Sequence, residues 1–108
     1  MFALLILSLA APATLDDAAL RRAAAAPFDK AAKMSRREVL GSWRGVPVVA
    51  EHPCSDVCPA YTVRIVHLDL DPGAACLRAG GRNVSRTVPM GIAAMPKLFC
   101  VPAPIAER

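Results

Sequence analysis

Four cysteines, Cys54, Cys58, Cys76 and Cys100, limit what this chain can fold into more than any other feature, because little else in it can hold a fold together. In 108 residues there is room for one domain. Hydrophobic residues reach 55%, yet aromatics supply only 5% and alanine much of the remainder, so the core they can build is thin. Domains of this size are commonly stapled by a disulfide or a metal. An even number of cysteines in a short chain therefore leads to two disulfides, provided the chain reaches an oxidising compartment.

Four cysteines allow three connectivities. Pro53, Ser55 and Asp56 are turn-compatible residues that can fold Cys54 back toward Cys58, which favours Cys54 with Cys58 and Cys76 with Cys100. A fully extended path from Cys54 to Cys58 spans roughly 13 Å, about twice a bridgeable Cα separation, so that pairing demands a turn. Chain entropy assigns the longer loop roughly 3.5 kcal/mol and the shorter roughly 2 kcal/mol.

The amino terminus supplies the oxidising compartment. Phe2 to Ala11 is an apolar run of signal-peptide length, and Ala11-Pro12-Ala13 offers the small residues a signal peptidase selects, so residues 1–13 are expected to be removed. The run falls short of the ~20 residues that cross a bilayer as a helix, so no transmembrane span is expected after cleavage. The destination is periplasmic or secreted.

Residues 14–41 read as a helical arm. Thr14-Leu15-Asp16-Asp17 resembles a capping box, Pro27 closes the first segment, and the alanine run Ala23 to Ala26 favours helix while burying little, as in a loosely docked arm. A second helix is expected from Asp29 as N-cap to Leu40, with Gly41 as its stop. Residues 42–108 change texture to short β-prone runs broken by Pro and Gly. Strands are expected at Val46–Glu51, Tyr61–Leu68, Asn83–Val88 and Leu98–Val101. In the second, Tyr61, Val63 and Ile65 alternate with Thr62 and Arg64, as a half-buried strand requires, and His67 shares the apolar face. Asp71-Pro72-Gly73 and Ala79-Gly80-Gly81-Arg82 are turn signals. The fold class is α+β: N-terminal helical segments followed by an antiparallel sheet of about four strands, with Trp43 anchoring helix to sheet.

The net charge of +4 comes from scattered basic residues without an aromatic platform, which argues against a nucleic-acid partner. Ser42, Ser55 and Ser85 lie in no nucleophile-elbow pattern, no glycine-rich phosphate loop is present, and neither His52 nor His67 has a nucleophile and carboxylate beside it in sequence. Asp69 and Asp71 lack the further oxygen ligands of a calcium loop and read as a solvated turn. Asn83-Val84-Ser85 matches a glycosylation triplet that has meaning only in a eukaryotic secretory pathway.

Cys54-Ser55-Asp56-Val57-Cys58-Pro59 also has the spacing of a functional dithiol, able to hold Cu(I) or to exchange with a partner disulfide. Over about six residues this stretch resembles the Cys-x3-Cys-Pro segment of periplasmic copper chaperones of the thioredoxin fold. That resemblance implies a Cu(I) site at Cys54 and Cys58, completed here by His52, His67, Met90 or Met95. Over about a dozen residues, Cys54-x3-Cys58-Pro59-x-Tyr61-x-Val63-x-Ile65 is similar to the signature of an uncharacterised family of small exported bacterial proteins, in which a Cys-x3-Cys-Pro-x-Tyr turn leads into a strand. This second resemblance implies an α+β domain and no known activity.

The leading expectation is thus a non-enzymatic exported domain, structural or binding, stapled at Cys54, Cys58, Cys76 and Cys100, without a cofactor and with an envelope protein as its possible partner. The alternative is a periplasmic copper or thiol-redox carrier using Cys54 and Cys58 with His52 and Met95.

Overall fold

The computed structural model describes residues 13–26, 34–57, 64–90 and 93–106. The apolar run at the amino terminus, Asp29, Cys58 and the stretch Tyr61 to Val63 lie outside the described residues. Among the described residues no helix is long and apolar enough to cross a membrane.

The first described residues run parallel to a strand, β1 (Met34–Trp43), through a bridge between Thr14 and Ser42. Leu15 N donates to the Ser42 carbonyl at 2.7 Å, and Ser42 N donates to the Ala13 carbonyl at 2.9 Å. A helix follows, α1 (Asp17–Ala25), whose N-cap is Asp16: its carboxylate accepts from Ala19 N at 2.8 Å. The capping signal expected at Thr14 therefore acts two residues later, because Thr14 belongs to the bridge. Nor is α1 a loose arm. Leu20 is fully buried, the Trp43 indole N–H reaches the Asp17 carboxylate at 3.4 Å, and Arg64 donates to the Ala23 carbonyl in the last turn.

The second expected helix is corrected outright: from Met34 onward the chain is the strand β1, and the boundary drawn after Gly41 falls inside it. Helix propensities differ by only tenths of a kcal/mol per residue, so good helix formers such as Glu38 and Leu40 yield to pairing that buries Trp43. The local device behind that pairing is the Arg44-Gly45 turn, with φ of 52° and 82°. Positive φ at both central residues is what a two-residue type I′ hairpin requires. Arg44 is an unusual occupant, and its guanidinium stacks 4.6 Å from the Trp43 ring centroid, which offsets part of the backbone cost. Gly41 stops no helix. It pairs with Val48 just beyond a bulge at Leu40, where a Cβ would run into the Ala13 carbonyl.

The hairpin partner is β2 (Val46–Val57), which also pairs antiparallel with β3 (Ile65–Leu68). A short helix, α2 (Ala74–Arg78), then precedes a second hairpin of β4 (Gly81–Met90) and β5 (Ala93–Pro102), closed by a 3-10 turn at Ala103–Ile105. The described strands thus form two antiparallel sheets, β1-β2-β3 and β4-β5, where a single sheet of about four strands was expected. The class is α+β as read; the missed elements are β1 and α2. The two turn signals flank α2, and the Asn83 amide clamps its entry by accepting from Gly73 N at 2.9 Å and donating to the Gly73 carbonyl at 3.4 Å.

The apolar residues separate into two clusters with β3 between them. Val66 and Leu68 face Leu20, Trp43, Val48, Ala50, Cys76 and Cys100. Ile65 faces Val88, Phe99 and Val101. All four residues of β3 are buried, so the expected half-buried strand is covered on both faces, the second face by the β4-β5 hairpin. Two small clusters take the place of one larger core because neither is rich enough in bulky side chains to close alone.

The Ala13 carbonyl is the acceptor for Ser42 N, so a chain beginning at Thr14 is expected to be less stable than one beginning at Pro12 by about 1 kcal/mol, the net worth of one backbone hydrogen bond. Urea unfolding of the two purified chains measures the difference.

Candidate functional site

Cys76 comes from α2 and Cys100 from β5, and they are joined by a disulfide with a Cα separation of 5.6 Å. Both residues are fully buried in the first cluster, so the cross-link ties the second hairpin to α2 from inside the core. The chain passes the sulfurs at Gly81. A Cβ there would lie 2.8 Å from the sulfur of Cys100, 2.9 Å from that of Cys76 and 3.1 Å from the Val101 carbonyl. The seat accepts hydrogen and nothing larger.

The other expected link falls outside the described residues at Cys58. The register of β2 nonetheless describes the approach to it. His52 is opposite Arg36 while Val57 is opposite Met34, so five steps of β2 face two of β1, three more than regular pairing allows. Five extended residues cover roughly 17 Å and two cover roughly 7 Å. The backbone at Pro53–Asp56 is therefore looped out, and Cys54 lies within the loop. β2 therefore carries a wide bulge there, and whether the chain turns back at Cys58 lies outside the described residues.

Beside the disulfide, a cleft of about 160 Å³ opens between β3, the Asp69–Pro72 turn and β5, with Cys100 in its wall. His67 lies here, buried, its ring 5.1 Å from that of Phe99. Both ring nitrogens face oxygen: Nδ1 is 2.8 Å from the Leu68 carbonyl and Nε2 is 2.5 Å from Glu51 Oε1. A carbonyl only accepts, so Nδ1 is the donor to Leu68, while Nε2 faces the Glu51 carboxylate. The ring offers neither nitrogen to a metal or a substrate in this arrangement. Sequence reading missed Glu51 as the partner. Val49 is opposite His67, which makes Glu51 its diagonal neighbour across the sheet, a relation only the register reveals. At the rim, Arg37 donates to Asp69 at 2.7 Å, and Lys97 Nζ sits 5.3 Å over the Phe99 ring.

The remaining residues of the copper expectation come from different sheets. His52 is buried on β2 in the three-stranded sheet, whereas Met95 is half-exposed on β5 of the hairpin, opposite Val88. Met90 pairs with Ala93 at the far end of that hairpin. No group of three or more His, Cys, Asp or Glu residues suited to a metal ion occurs among the described residues. Asp69, read as part of a solvated turn, is an exposed ion-pair partner of Arg37. Compared with protein-family models, with curated proteins and with solved structures, the chain matches none.

Two outcomes follow from this geometry. Gly81→Ala is expected to destabilise the oxidised protein by about 1–3 kcal/mol, the usual range for overpacking. The penalty shrinks in a Cys76→Ala/Cys100→Ala background because the sulfurs that oppose the methyl are gone, so a double-mutant cycle by chemical unfolding detects the coupling. Glu51→Ala is expected to cost about 1–3 kcal/mol by leaving a buried imidazole nitrogen without its partner. Arg37→Ala removes a pair whose side chains are half-exposed and is expected to cost less than about 1 kcal/mol in the same assay.

Proposed function

We propose that this chain is an exported domain, periplasmic or secreted, that serves as a structural or binding component of the cell envelope, not as an enzyme, and is stabilised by disulfides. The observation that carries the reading is the buried Cys76–Cys100 bond with Gly81 fitted against both sulfurs. A core shaped around a cross-link supports folding where thiols oxidise, since cytoplasmic reductants keep cysteines apart. The closed loop is worth roughly 3.5 kcal/mol, against the 5–15 kcal/mol of net stability typical of a domain. Engagement of both His67 nitrogens further supports a structural use of that residue over a catalytic one. The apolar amino-terminal run supports export, and the Cys-x3-Cys-Pro-x-Tyr resemblance to small exported bacterial proteins points the same way.

In this reading Cys54 and Cys58 form the second cross-link across the β2 bulge. Mass measurement after alkylation of the denatured, unreduced protein, purified from an export-competent host, is expected to show no free thiol. Reduction is expected to lower unfolding stability by roughly 3 kcal/mol or more. Two alkylated thiols at Cys54 and Cys58, or stoichiometric Cu(I), would replace the staple with a carrier role, and retention of the unprocessed chain in the cytoplasm would end the reading.

A further inference from the structure

Two bonds near the amino terminus satisfy the small-residue rule of a signal peptidase, and the fold distinguishes their products. The enzyme needs small residues one and three positions before the bond it cuts. Ala11 and Ala13 meet that need for a cut after Ala13, and Ser8 and Ala10 meet it for a cut after Ala10. Between these, a cut after Ala11 places Leu9 at the third position, and one after Pro12 places a proline at the first. Residues 2–9 alone still reach the length of a signal-peptide apolar run.

The two products differ by Ala11-Pro12-Ala13, and the folded chain uses the last of these residues. Ser42 N donates to the Ala13 carbonyl at 2.9 Å and Leu15 N donates to the Ser42 carbonyl at 2.7 Å, so Ala13 and Leu15 together hold Ser42 in the parallel bridge. Gly41, buried beside them, is matched to the same carbonyl. A Cβ there would run into the Ala13 oxygen and come within 3.0 Å of Leu15 Cγ. A cut after Ala13 removes the acceptor of Ser42 N and puts a charged ammonium on Thr14 at the bridge. Pro12 argues in the same direction. An extended substrate is gripped through its main-chain groups, and Pro12 has no N–H to offer. It sits between the two recognition residues of the later cut, whereas Ser8-Leu9-Ala10 keeps every donor.

We propose that the bond between Ala10 and Ala11 is the processing site of this chain, so that the mature domain begins at Ala11 and keeps Ala13. The start lies three residues earlier than Ala11-Pro12-Ala13 read as the recognition triplet places it. The assignment rests on the export reading above. The step is a hydrolysis by a membrane-bound signal peptidase of the export route: water adds across the peptide bond, leaving a carboxylate on Ala10 and an amine on Ala11. The retained Ala13 then closes the Ser42 end of β1 through its carbonyl.

Intact-mass and amino-terminal sequencing of the full chain, expressed in an export-competent host, tests the position. A mature start at Ala11 is expected. Ala10→Leu is expected to reduce processing at least about tenfold, because a bulky residue stands directly before the scissile bond, whereas Ala13→Leu changes it by less than about twofold. Ala13 is exposed, so the second variant leaves the bridge intact. Between the two candidate mature chains, Gly41→Ala is expected to lower the folding equilibrium constant at least about fivefold more in the one that begins at Ala11, where the Ala13 carbonyl opposes the methyl, than in the one that begins at Thr14. A mature start at Thr14 or at any residue other than Ala11, or equal Gly41→Ala penalties in the two chains, would overturn the assignment and leave export standing. An unprocessed chain held in the cytoplasm would overturn both.

Discussion

Burial of both faces of one four-residue strand is the constraint on which the rest of the structure depends. Val66 and Leu68 point into one apolar cluster and Ile65 into the other, with His67 stacked against Phe99 on the second side. A chain so poor in aromatics cannot fill one large core, and it closes two small ones around a common wall instead. This arrangement needs cover on both sides of β3. Leu20 of α1 and the Cys76–Cys100 pair cover one side and the β4-β5 hairpin covers the other.

The disulfide belongs to the same problem. Cys76–Cys100 joins α2 to β5 within the first cluster. The bond fixes the second hairpin where Phe99 and Val101 reach Ile65. Gly81 completes the fit by letting β4 pass directly over the sulfurs. Covalent linkage and close packing therefore act at one point.

Polar residues follow from how the sheets are closed. Glu51 and His67 satisfy each other in a partly buried position where either alone would be costly, and Leu68 takes the remaining imidazole nitrogen.

Local sequence carried the features that depend on near neighbours: a small core containing a disulfide, the β-rich texture after Gly41, the α1 segment, and the turns at Asp71–Gly73 and Ala79–Arg82. Each rests on backbone preferences or apolar alternation within a few residues. Tertiary structure decided the features that depend on competition between distant segments. Met34 to Trp43 contains good helix formers, yet it becomes a strand because β2 offers a pairing partner and the Arg44-Gly45 turn returns the chain to it. His67 acquires Glu51 only through a diagonal set by strand register. Helix propensity is worth tenths of a kcal/mol per residue, whereas burying an indole and completing a sheet are worth several, so the outcome at β1 is fixed by contacts that no local window contains.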